Sequence, residues 1–183
     1  GIRDCPLLDA ISSSSIPPRA EFGPQGLSNT VWAFAKLVIA DAPLLSALSP
    51  QAMPPVIAYD SQALSSTAWA LASLKIHDHP LLQALAAAAI ARMRHFQPQD
   101  ISSTAWSFAK LDICDEPLLQ AISSEALRKI GDFRAQALSN TAWSFATCIV
   151  LNRPLLEAIA ARAIARIQSF DAQNLSNTAW AWA

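Results

Sequence analysis

The chain has 183 residues, of which 52% are hydrophobic and only 4 are Gly, a balance that suits closely packed helices and leaves no strand signal. Thirteen basic against fourteen acidic side chains give a net charge of −1, which excludes a bulk field drawing the segment to a polyanion or an anionic membrane, so any nucleic-acid contact is local. No apolar run reaches the roughly 18 residues of a membrane span, and three cysteines, Cys5, Cys114 and Cys148, in different places of the pattern below argue against a disulfide framework and fit a reducing compartment.

Self-similarity organises everything else. Trp32, Trp69, Trp106, Trp143 and Trp180 recur at a constant step of 37 residues. Pro6, Pro43, Pro80, Pro117 and Pro154 keep the same step, each opening a Pro-Leu-Leu, as do Gln25, Gln62, Gln99, Gln136 and Gln173. Residues 1–183 therefore read as one segment of about five repeats starting near those prolines. Both ends read as cut, because Gly1 is no initiator Met and the chain stops within a motif that earlier copies continue.

In chain order each repeat gives two helices, here called B and A, ten segments in all. B opens on a cap and a first-turn Pro: Asp4, Asp41, Asp78, Asp115 and Asn152 stand two residues before the repeat prolines. Pro17-Pro18 and Pro54-Pro55 interrupt the first two B helices, where later copies carry Ala91-Arg92, Arg128-Lys129 and Ala165-Arg166. In the fourth copy Leu119, Ile122, Ala126, Ile130 and Phe133 share one face of B, and Phe22, Tyr59, Phe96 and Phe170 repeat the final aromatic. Helix A then runs from about Gln136 to Ile149 on an apolar period of Leu138, Ala142, Phe145, Ala146 and Ile149. One such hairpin cannot cover its own apolar faces, so the hairpins stack: the predicted fold is an all-α solenoid of two-helix repeats.

The run Leu-Ser-Asn-Thr-Ala-Trp-Ser-Phe-Ala at 138–146, preceded by Gln136 and followed by Pro154-Leu155-Leu156, resembles the octotricopeptide and heptatricopeptide repeat proteins across essentially the whole chain. The resemblance implies an organellar protein, in chloroplast or mitochondrion, that binds single-stranded RNA or rRNA and acts in RNA processing, stability or translation. The alternative it leaves open is a protein-interaction scaffold or structural subunit of an organellar complex, such as a ribosome or a respiratory or photosynthetic assembly.

Candidate site residues follow from the columns. On helix A the face opposite the apolar stripe runs through Gln136, Asn140, Ser144 and Thr147. Asn29, Ser66, Ser103, Asn140 and Asn177, with Ser107 and Ser144 one turn on, form the small hydrogen-bonding set that base-per-repeat RNA readers use; the competing reading is solvated polar residues or local backbone bonding. Lys36 and Lys110 on A, and Arg92, Lys129 and Arg166 near the ends of B, are candidates for phosphate, against a plain helix-end role. The uniform Gln column reads as capping or bridging. The Trp column reads as core, with Trp106 packed between hairpins, and base stacking is its other reading. His77-Asp78-His79 has no matching ligand elsewhere, Asp78 is already a helix cap, and a buried turn position suffices for His77 and its counterpart Cys114. No Ser-His-Asp set, acidic dyad or phosphate-cradling Gly loop is present, so the sequence predicts no enzyme, no cofactor, no metal and no small-molecule substrate.

Overall fold

The computed structural model describes residues 24–37, 56 and 58–183, and among these every regular element is helical. The helices are α1 (Pro24–Leu37), α2 (Ser61–Leu74), α3 (His79–Arg92), α4 (Pro98–Lys110), α5 (Glu116–Lys129), α6 (Ala135–Thr147), α7 (Arg153–Ala165) and α8 (Ala172–Ala181). Helices α1, α2, α4, α6 and α8 are the A members of successive repeats, and α3, α5 and α7 the B members. The double prolines and the caps Asp4 and Asp41 lie outside the described residues.

The B helices start as their sequence dictates. Asp78, Asp115 and Asn152 accept from the backbone N–H of Leu81, Leu118 and Leu155 at 3.0, 2.8 and 3.1 Å, and a Pro fills the first turn where its missing N–H is not needed. Each B helix ends in a short 3-10 turn (Met93–His95, Ile130–Asp132, Ile167–Ser169) that delivers Phe96, Phe133 or Phe170 into the core. Tyr59 holds the same column; burial of its phenol pushes the pKa up to about 12, and its hydroxyl has no hydrogen-bond partner among the described residues.

The A helices lie side by side in one layer and approach each other more closely than the B helices do. Residue size explains the difference. The faces that A helices turn to one another carry Ala68, Ala72, Ala105 and Ala142 with Ser102, Thr104, Ser139 and Thr141, all buried. Most of these hydroxyls are satisfied within their own helix: Ser102, Ser139 and Thr141 donate to the carbonyls of Gln99, Gln136 and Ala137 at 3.1, 3.1 and 2.8 Å. Within the A layer, side-chain bonds among the described residues also tie neighbouring repeats directly. Ser65 donates to Asp100 Oδ1 at 3.1 Å, and Ser139 to Asn174 Oδ1 at 2.9 Å. The other carboxylate oxygen of Asp100 accepts from the Gln97 N–H and closes the capping box of α4.

Three A helices stop by one device at the repeat's own step. Lys75, Asp112 and Ile149 have φ of 56°, 56° and 54°. The next residues, Ile76, Ile113 and Val150, donate back to Leu71, Phe108 and Phe145, each at 2.9 Å, the wide turn of a Schellman cap. This corrects the expected end of the fourth A helix. The apolar period runs on to Ile149, but α6 ends at Thr147 and Ile149 is 91% exposed in a left-handed turn. A β-branched side chain in that conformation is strained. Ile149→Gly is therefore expected to raise stability by about 0.5–1 kcal/mol in denaturant unfolding, the relief outweighing the extra freedom Gly gives the unfolded chain.

The expectation of unpaired cysteines is also corrected. Cys114 and Cys148 form a disulfide, with Cα atoms 5.4 Å apart. They occupy different repeat positions, yet the turn after one A helix lies beside the C-terminal end of the next, so unlike columns meet across the seam. Cys114 and His77, in one column, are both exposed, not at a buried turn.

Candidate functional site

Helices α2, α4 and α6 are buried nearly all round, and what each leaves open is one narrow stripe. In α2 the stripe is Gln62, Ser66, Trp69 and Ser73; in α4 it is Gln99, Ser103, Trp106 and Lys110; in α6 it is Gln136, Asn140, Trp143 and Thr147. Helix α8 continues it with Gln173, Asn177 and Trp180, and α1 begins it with Asn29, Trp32 and Lys36. Residues at this spacing stay in line down a helix, and the stacking of repeats turns one line into parallel rows across the A layer.

The Asn and Ser column lies where the sequence analysis put it. Asn29 is exposed, and Ser66, Ser103, Asn140 and Asn177 are partly exposed on the stripe. Ser107 and Ser144 are not on it. Both are fully buried, and their hydroxyls donate to the carbonyls of Ser103 and Asn140 at 2.7 and 2.6 Å. Each four-residue step turns the side chain by about 40° in one sense; two in succession from Gln136 carry position 144 off the stripe and into the buried seam, whereas the three-residue step to Trp143 turns back onto it. The Ser is there for its size, and its polarity is spent on its own helix.

Position 143 takes the place that 144 was given. Trp32 and Trp180 are 43% and 53% exposed, Trp69, Trp106 and Trp143 are half-buried, and Trp69 and Trp106 are set against the core on one side. The Trp column is thus the outer border of the core. Two of its rings meet across a repeat boundary: Trp143 and Trp180 have centroids 6.0 Å apart at an interplanar angle of 38°. At the other end the Lys36 ammonium sits 5.5 Å from the Trp32 ring centroid and 5.1 Å from that of Trp69, a cation between two aromatic faces.

Gln62, Gln99, Gln136 and Gln173 are exposed, and none of them is the N-cap of its helix. Capping falls to residues two positions earlier, where Asp60 and Asp171 accept from Ala63 and Asn174 N–H at 2.7 Å each. The charge of the stripe differs from that of the chain: among its described residues, Lys36 and Lys110 are the charged groups, and both are positive and exposed.

The second set of basic candidates has other work. Lys129 Nζ donates to the carbonyls of Arg94 and Phe96 in the preceding repeat at 2.9 and 2.7 Å, and pairs with the buried carboxylate of Glu125 at 3.0 Å. Arg166 donates to the Phe133 carbonyl at 3.4 Å, and Arg162 to that of Gly131. Arg92, half-buried at the last residue of α3, is also engaged. The 3-10 turn that ends each B helix leaves carbonyls facing the next repeat, and a cation at this column satisfies them. Lys129 and Arg166 are thus clasps between repeats, on the B layer and away from the stripe.

His77 Nδ1 lies 3.2 Å from the Lys75 carbonyl, while the Asp78 carboxylate caps α3. No cluster of metal-ligating side chains is present among the described residues, and no described helix is long and apolar enough to cross a membrane.

No curated protein matches the chain. A family model does match, over residues 59–183, and its description is RNA-editing substrate-binding complex 6 protein.

Proposed function

The chain belongs to the RNA-editing substrate-binding complex 6 protein family, and on that premise we propose that it is a single-stranded RNA-binding module of an organellar RNA-processing assembly, with the open stripe of the A layer as its RNA surface. The observation that carries this reading is the composition of the stripe. Among the described residues, α2, α4, α6 and α8 each present an amide from Gln, a small hydrogen-bonding side chain from the Asn or Ser column and the face of a Trp, and the charges on the stripe are lysines. That is what unpaired bases offer partners for: edges that donate and accept, and flat faces that stack. The net charge of −1 is no obstacle, since acidic side chains such as Asp60, Asp115 and Glu125 sit in caps and the B layer, while the described stripe carries lysines.

In this reading Asn29, Ser66, Ser103, Asn140 and Asn177 contact base edges, one set per repeat, and Lys36 and Lys110 contact phosphate. The module binds and positions RNA and has no catalytic role of its own. The octotricopeptide and heptatricopeptide resemblance agrees with an RNA-associated helical repeat and with an organellar location.

Asn140→Ser tests the assignment. It leaves Leu138, Ala142 and Phe145 untouched, so stability is expected to change by less than about 1 kcal/mol. Selection from a randomised single-stranded RNA pool is expected to show altered preference at one nucleotide position, by about 1 kcal/mol, with the other positions unchanged. Identical preferred sequences from parent and variant would remove the base-reading role. Capture of a protein partner with no RNA binding at low salt would favour the scaffold reading.

A further inference from the structure

We propose that the Trp column is a base-stacking platform, and that the module holds RNA chiefly by stacking, with only a minor contribution from charge. The proposal rests on the RNA reading above and specifies its energetics. Three observations carry it. The Trp rings of successive repeats form a row on the same open stripe as the Asn and Ser column, so a base whose edge meets Asn140 lies within reach of the Trp143 face one turn along. The Trp32 and Trp69 rings already hold a group from the same chain, the Lys36 ammonium, so their faces are open to a ligand from outside the core. Finally, the stripe has too few cations to hold RNA by charge: Lys36 and Lys110, with the corresponding places taken by Ser73 and Thr147.

The geometry also says how bases meet the row. A base sandwiched between two parallel rings needs roughly twice a stacking spacing of ~3.4 Å, whereas Trp143 and Trp180 are tilted by 38° with centroids 6.0 Å apart. There is no room between them, so bases lie along the outer faces. At Trp32 and Trp69 a base displaces Lys36, whose ammonium is then released toward the phosphate of the same nucleotide.

The test uses the whole chain, a single-stranded RNA oligomer of mixed sequence, and an abasic ribose-phosphate oligomer of the same length. The expected results are quenching of Trp fluorescence by the RNA, at least tenfold weaker binding of the abasic oligomer, and a slope of log K against log salt near −1.4, since about two phosphates are neutralised at about −0.7 each on a single strand. Trp143→Leu is expected to weaken RNA binding roughly tenfold while Trp143→Phe keeps most of it, circular dichroism showing both variants folded. Equal binding of the two oligomers, with a steep salt slope and no quenching, overturns the stacking proposal and leaves RNA binding standing. No binding of RNA at low salt overturns the RNA reading and this proposal together.

Discussion

Phe133→Ala is expected to lower the unfolding free energy by about 3–5 kcal/mol, the largest effect of any single substitution considered. Phe133 is fully buried at the point where the 3-10 turn after α5 hands the chain to α6. Its backbone is extended, with φ −67° and ψ 128°, and its N–H donates to the Ile130 carbonyl at 3.3 Å. The ring is one of the largest fully buried side chains, and the Phe133 carbonyl accepts from Arg166 of the following repeat. Truncation leaves a cavity in a seam that rigid helices cannot close, and in a solenoid each seam is a nearest-neighbour term with no distant contacts to compensate. Equilibrium denaturation checks the magnitude. A loss below about 1 kcal/mol would show that the seams are held elsewhere.

Lys129→Met is expected to cost about 2–3 kcal/mol and to leave RNA affinity of the folded protein unchanged. Removing the ammonium while keeping the aliphatic stem strands the Glu125 carboxylate, which is buried, and the Arg94 and Phe96 carbonyls. Breaking a fully buried pair costs about 3–5 kcal/mol. The figure is reduced here because Lys129 keeps 23% of its side-chain exposure and Arg128 stays 3.5 Å from Glu125. Glu125→Gln in the Lys129→Met background is expected to recover part of the loss, because the unpaired charge is gone. Were Lys129 a phosphate ligand, Lys129→Met would instead weaken RNA binding and shallow its salt slope by about 0.7.

The solenoid was legible because stacking repeats must bury the same columns each time, and the Pro-Leu-Leu, Gln and Trp columns at a constant step record that demand. The B-helix caps were legible for a local reason: Asp78, Asp115 and Asn152 each stand just before the first-turn Pro they serve. What failed to show was the rotation of side chains about the A helix. Ser144 was grouped with the open face for its polarity, but the structure buries it, and the Trp column, read as core for its size, stands half-buried at the core's border. A tight helix seam admits a Ser that bonds its own backbone, whereas an indole fits only at the border. Ile149 misled in the same way, since its apolar character continues the period while the backbone has already turned left-handed. The clasps from Lys129 and Arg166 and the pairing of Cys114 with Cys148 were out of reach because they join unlike columns of neighbouring repeats, 33 to 35 residues apart.

The central claim is that RNA lies on the open stripe of the A helices. Photocrosslinking the chain to a single-stranded RNA containing 4-thiouridine, followed by mass-spectrometric mapping of the crosslinked peptides, tests it most directly. The account places the crosslinks on residues 62–73, 99–110 and 136–147, centred on Trp69, Trp106 and Trp143, with the B helices α3, α5 and α7 unmarked. Crosslinks confined to those B helices would contradict it.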